Sequence, residues 1–216
     1  MIFNKFKVSQ VLMLGVVNVL LLLVVNDQIT ETLERAYLDF KKQETQNAAY
    51  MSKAFIERTI EEGEQLGTPQ MELENQVIDY LSKSHFKDLY VWANDDLAVA
   101  RVHVKPEVIG SFQRSYIRHT KALEGKDIIF ETLDNINPVT ENINPVTENI
   151  EQKVNAIVFI DKWGWIIGYG SYLYESDISK LKNSIMIWLG LLIVLLDLVS
   201  LALIFKLSIR NPKPVL

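Results

Sequence analysis

Two stretches of the chain are apolar on every side. Residues 8–25 read VSQVLMLGVVNVLLLLVV and carry no charge, and residues 184–205 read SIMIWLGLLIVLLDLVSLALIF, with Asp197 as the single charge. Each is long enough to cross the hydrocarbon core of a bilayer. Between them the apolar positions recur with two periods. Leu33, Tyr37, Phe40, Met51, Phe55 and Ile60 recur at helical spacing, which predicts one long helix over residues 30–65, ended by Gly67 and Pro69. A shorter helix is predicted over 71–84. Alternation with β-branched and aromatic residues then predicts strands over 88–94 and 97–104, paired as a hairpin through the NDD bend. A helix over 115–124 stops at Gly125, and a strand follows over 127–133. Strands over 153–161 and 165–173 form a second hairpin joined by Lys162, Trp163 and Gly164, and a last helix over 175–182 runs into the second apolar segment. Helix-helix-β-β-α-β-β-β-helix is an α+β order: an antiparallel sheet with a long helix on one face.

The flanking charges orient this plan. Lys5 and Lys7 precede the first apolar run, Lys206, Arg210 and Lys213 follow the second, and Asp27, Glu31 and Glu34 stand just inside. Excess Lys and Arg marks the cytoplasmic side. The expected arrangement is therefore a cytoplasmic N-terminus (1–7), a first span (8–25), an extracytoplasmic domain (26–183), a second span (184–205) and a short cytoplasmic tail (206–216). Trp188 sits near the outer end of the second span, where an interfacial aromatic belongs. The first run is also weighed as a cleaved signal peptide, but it is long for one, and NDQITETLE offers no small-residue cleavage site. Asp197, near mid-membrane, is either a tolerated acid or a hydrogen-bond partner of Asn18, which lies at similar depth on the first span. Polar contacts of this kind, with the long helix, point to a homodimer.

Composition narrows the chemistry. The net charge of −5 with no basic stripe argues against a nucleic-acid partner, and the absence of cysteine removes disulfides and thiolate chemistry. His85, His103 and His119 are too far apart in sequence for a metal site, no nucleophile–base set and no phosphate loop is legible, and no cofactor is expected. The chain reads as non-enzymatic. Gly168 and Gly170, inside a strand, suggest a close backbone approach. Residues 135–141 and 142–148 repeat NINPVTE; Pro138 and Pro145 exclude a coiled-coil heptad, so the repeat reads as a lengthened surface loop.

A ligand pocket is the candidate site. Alternation along 97–104 puts Val99, Arg101 and His103 on one strand face and Ala98, Ala100, Val102 and Val104 on the other. The apolar face belongs against the long helix, which turns Arg101 and His103 to the opposite side. Tyr116 and His119 share a helical face able to close over that strand. Tyr90 and Trp92, with Trp163, Trp165 and Tyr169, offer aromatic walls. The competing reading is a solvated strand face with ordinary core aromatics.

The segments DLYVWANDDLAVARVHVKPEVIG and WGWIIGYGSYLYESDI resemble the paired signatures of a single Cache domain, the PAS-like extracytoplasmic sensor of bacteria. The resemblance covers about residues 30–183, and the WGW segment is its most specific part; FQRSYIRHTKALEGKDIIFE looks closest to the sensors of membrane diguanylate cyclases, and chemoreceptors carry similar domains. It implies a PAS-like fold, location in the bacterial inner membrane with a periplasmic domain, and binding of a small organic molecule. Because such sensors often read carboxylates, it also implies Arg101 as the anchor, since a guanidinium can donate two parallel hydrogen bonds to that group. Members of the family continue beyond the second span into an output domain, whereas this chain closes on SIRNPKPVL. The expectation is a transducer lacking its output, signalling through the second span to a separate cytoplasmic partner. The alternative is a membrane docking or assembly protein whose outer domain binds another protein.

Overall fold

The computed structural model describes residues 2–84, 89–133 and 152–210. The duplicated NINPVTE loop and His85 fall outside them. The chain divides into two compact units, one of the residues before Tyr37 and from Glu175 on, the other Tyr37–Tyr174.

Helix α1 runs unbroken over Ile2–Leu66, so the first apolar run and the long polar–apolar helix are one element. Helices α2 (Gln70–Lys83) and α3 (Ser115–Leu123) and strands β1 (Leu89–Asn94), β2 (Ala100–Val102), β3 (Ile129–Leu133), β4 (Gln152–Ile160) and β5 (Trp165–Leu173) follow. Helix α4 (Glu175–Arg210) closes the described chain and contains the second apolar run. The sheet is antiparallel, in the order β2-β1-β5-β4-β3.

Strand order puts β5 at the centre, and its nine residues are all buried. A sheet buried on both faces loses the hydrophobic/polar alternation of a half-exposed strand. Its first face carries Val91, Ala93, Ala156, Val158, Ile160, Trp165, Ile167 and Tyr169, packed with Ala49, Ile56 and Ile60 of α1 and Leu73, Val77 and Leu81 of α2. The buried face of α1 is Thr45, Ala49, Ser52, Ile56 and Ile60, three and four residues apart. Small residues at three of these positions bring the helix close to the sheet, and the Ser52 hydroxyl meets the Tyr169 hydroxyl at 2.6 Å. Phe40 and Met51, expected on the packed face, are 57% and 70% exposed. The large apolar residues misled because a helix against a sheet selects for fit, not for bulk alone.

Strand β2 is shorter than expected. The turn between β1 and β2 is held by Asp95, whose carboxylate accepts from the backbone N–H groups of Leu97 and Val99. Ala98 adopts a left-handed φ of 61° there. In β2, Val102 pairs with Ala93 and Ala100 with Asn94, so Arg101 is an extra residue, a bulge.

In the other unit, α1 from Met13 and α4 over Ser176–Leu203 are long and apolar enough to cross a membrane. The Asn18 amide donates to both carboxylate oxygens of Asp197, at 2.9 and 2.8 Å. Asp197 is thus partnered, and within one chain, so this contact does not by itself call for a second copy.

Candidate ligand site

The sheet sorts the sequence-predicted site residues into two groups on opposite faces. Arg101, Trp163, Trp165 and Tyr169 lie on the face covered by α1 and α2. The Arg101 guanidinium stands 3.5 Å from Asp95 and 4.0 Å from Glu74 on α2, and 5.9 Å from the Trp165 ring centre. Trp163 and Trp165 pack on each other in the core, and Tyr169 is committed to Ser52. The expected shared face for Arg101 and His103 is therefore corrected: the bulge breaks the alternation, and Arg101 turns to the α2 side. It is already neutralised there by two carboxylates. Replacing Arg101 with Ala is expected to lower stability by about 1–2 kcal/mol, between an exposed and a buried pair, because Asp95 and Glu74 lose their counter-charge. Ligand affinity should stay within about twofold; thermal melts paired with titrations check both.

Tyr90, Trp92, His103, Tyr116 and His119 gather at the second face. The Trp92 indole lies 5.5 Å from the ring of His119 on α3 and packs with Leu123, Ile157 and Ile166. The Tyr116 hydroxyl is spent on Gly164, donating to its carbonyl at 2.6 Å. His119 Nε2 lies 3.3 Å from Glu131, whose other oxygen pairs with Arg118 at 2.5 Å. The His119 hydrogen bond, with Arg118 and Lys153 nearby, holds the Glu131 carboxyl below its usual value. His103 Nδ1 accepts from the Lys105 N–H, and burial, with two lysines close by, lowers its pKa.

Sequence reasoning missed the two residues at the centre of this face, Lys153 and Asn155 on β4. The Lys153 ammonium sits over the rings of Tyr172 at 5.4 Å and Tyr90 at 5.8 Å. Burial pushes its pKa down to about 8, with Lys105 adding repulsion and Glu131 opposing. Asn155 is 3% exposed, and among the described residues its buried Oδ1 has no hydrogen-bond partner; nor has His119 Nδ1. Buried polar atoms are ordinarily paired, and leaving one unpaired costs about 1–3 kcal/mol. The legible signal was the pair of polar side chains, two apart, on one face of an otherwise apolar strand, KVNAIVFI.

Gly168 and Gly170 make this geometry possible. A Cβ on Gly168 would stand 2.1 Å from two atoms of the Trp92 indole, and one on Gly170 would stand 2.0 Å from Lys153 Cε and 2.4 Å from Asn155 Oδ1. The glycines admit neighbouring side chains, Trp92 from β1 and Lys153 and Asn155 from β4, rather than a neighbouring backbone. Together the face presents the Lys153 ammonium, aromatic walls and, among the described residues, unspent hydrogen-bonding atoms. Among the described residues, no group of acidic, His or Cys side chains is placed to hold a metal.

No family model matches the sequence, and neither does any curated protein. Solved structures do. A periplasmic sensor domain of a chemotaxis protein superposes with a TM-score of 0.51 at 13% identity, over 63% of this chain and 98% of that one. A structure described as the basis for carboxylic acid recognition by a Cache chemosensory domain gives 0.43 at 19% identity, over 67% and 98%. A methyl-accepting chemotaxis protein from Vibrio parahaemolyticus gives 0.45 at 17% identity, over 70% and 99%. The chain thus carries the fold of a periplasmic chemotaxis sensor domain, the PAS-like fold that its resemblance to single Cache sensors implies.

Proposed function

We propose that this protein is a membrane-anchored sensor whose domain between the two spans binds a small organic carboxylate on the second face of the sheet. The observation that carries the reading is the half-buried Lys153 ammonium, set over the Tyr90 and Tyr172 rings and beside the buried Asn155 Oδ1. A carboxylate supplies an anion for Lys153, and its apolar part meets Trp92, Tyr90 and Tyr172. The domain faces the periplasm, with both chain ends in the cytoplasm, as the flanking Lys and Arg residues argue. Occupancy is passed along β5, which carries both glycines of the site and is separated from α4 by Tyr174 alone. The reading contains no catalytic step.

The experiment is a titration of the full chain in nanodiscs with small mono- and dicarboxylates at several pH values. Only the protonated amine attracts a carboxylate. With the free-state pKa near 8, affinity should be flat below pH 7 and fall about tenfold per pH unit above 8. The sign for stability is opposite. The folded pKa lies below that of an unfolded lysine, so the unfolded chain binds more protons between about 8 and 10.5, and unliganded stability contributed by this group rises over that window. Lys153→Arg should abolish the fall in affinity. No binding by any acid would return the domain to a docking role.

A further inference from the structure

Resting on that reading, we infer that Asn155 makes the site selective for 2-hydroxycarboxylates over both plain carboxylates and amino acids. Asn155 Oδ1 and the end of the Lys153 side chain converge on one point. Both Oδ1 and Nζ lie within 2.7 Å of the position a Cβ on Gly170 would occupy. A ligand whose carboxylate reaches Lys153 therefore holds its 2-substituent next to Asn155. A 2-hydrogen leaves Oδ1 buried and without a partner among the described residues. A hydroxyl donates to Oδ1 and offers its own lone pairs to the Lys153 ammonium, so one atom serves both neighbours.

An ammonium in the same place donates but cannot accept, and it stands against a cation. The charges around this point come from every element that packs on it. Lys153 and Lys105 are positive, and His103 is held towards neutrality. Of the carboxylates among the described residues, Glu131 is already taken by His119 and Arg118, and Glu107 acts on His103. Glu131 is thus not free to receive an amino group, and the two lysines disfavour an amino acid on electrostatic grounds. A site that hydrogen-bonds a ligand hydroxyl discriminates far more sharply against the analogue lacking it than an apolar pocket separates homologues.

The test uses two isosteric series on the full chain in nanodiscs, by calorimetry at pH 7: propionate, lactate (both enantiomers) and alanine; succinate, malate (both enantiomers) and aspartate. In at least one series the hydroxy acid should bind about tenfold or more tighter than the plain acid, with the amino acid weakest. Asn155→Leu, close in volume, should bring the hydroxy and plain acids to within about twofold while the plain acid still binds. Equal affinity for hydroxy and plain acids in the parent protein, a stronger amino acid, or a preference that survives Asn155→Leu overturns the inference and leaves the sensor reading standing. Failure of every member of both series to bind overturns both. Should Asn155→Leu not fold, the ranking in the parent protein decides.

Discussion

Replacing Lys153 with Met is expected to weaken carboxylate binding by roughly 30- to 5,000-fold while leaving the unliganded domain as stable as before, or more so. The two halves of that result have separate causes. Removing one member of a desolvated, hydrogen-bonded charge pair costs about 2–5 kcal/mol of affinity, largely because the remaining ligand charge is then buried without a partner. In the unliganded protein the same ammonium is a burden, since burial already pushes its pKa down to about 8. A methionine retains the methylene stem against Tyr90 and Tyr172, removes the charge and keeps Gly170 covered. Calorimetry on parent and variant, with melts of the unliganded proteins, separates the two. A variant that binds normally would remove Lys153 from the site, and one that loses affinity only because it has lost its fold would show it in the melt.

Gly168→Ala is expected to act oppositely, on the fold before the site. Gly168 lies directly across from Trp92 in the β1–β5 register, and the indole rests where a Cβ would be. The ring cannot slide along the sheet, because His119 packs on it from α3. Overpacking of this kind costs about 1–3 kcal/mol, so a loss of about 2 kcal/mol and a fall in melting temperature of about 5 °C are expected. The check is a double substitution. Trp92→Leu in the Gly168→Ala background should recover much of the loss, since the smaller side chain vacates the contested space. A single Gly168→Ala protein that melts with the parent would show that the indole has another place to go.

The fold was legible in the sequence because its signals are local and repeated. The two apolar runs, the period-2 stretches around Tyr90 and Tyr169 and the glycine stops each predict an element that the structure contains. The Asn18–Asp197 contact was legible too, since a carboxylate among apolar residues needs a partner and Asn18 was the polar residue at matching depth. Arg101 was misread for a non-local reason. Strict alternation assigns it to the face of His103, but the Asp95 turn inserts one residue into β2, and a one-residue shift changes the face of a side chain. Trp165 and Tyr169 stand on the α1–α2 face, apart from Tyr90 and Trp92, because the central strand is buried on both sides and aromatic residues alone do not tell its two faces apart. Lys153 and Asn155 were overlooked because each is unremarkable until strand pairing sets them beside Gly170, a fact of register and not of composition.

Hydrogen exchange of the full chain in nanodiscs, with and without a bound carboxylate, tests the central claim most directly, because the two faces of the sheet are built from different segments. The account predicts new protection in α3 (Ser115–Leu123), in β4 around Lys153 and Asn155, and in the segment from His103 to Lys105, with α2 and the Asp95–Arg101 turn unchanged. Protection confined to α2 and that turn would place the ligand on Arg101 and contradict it.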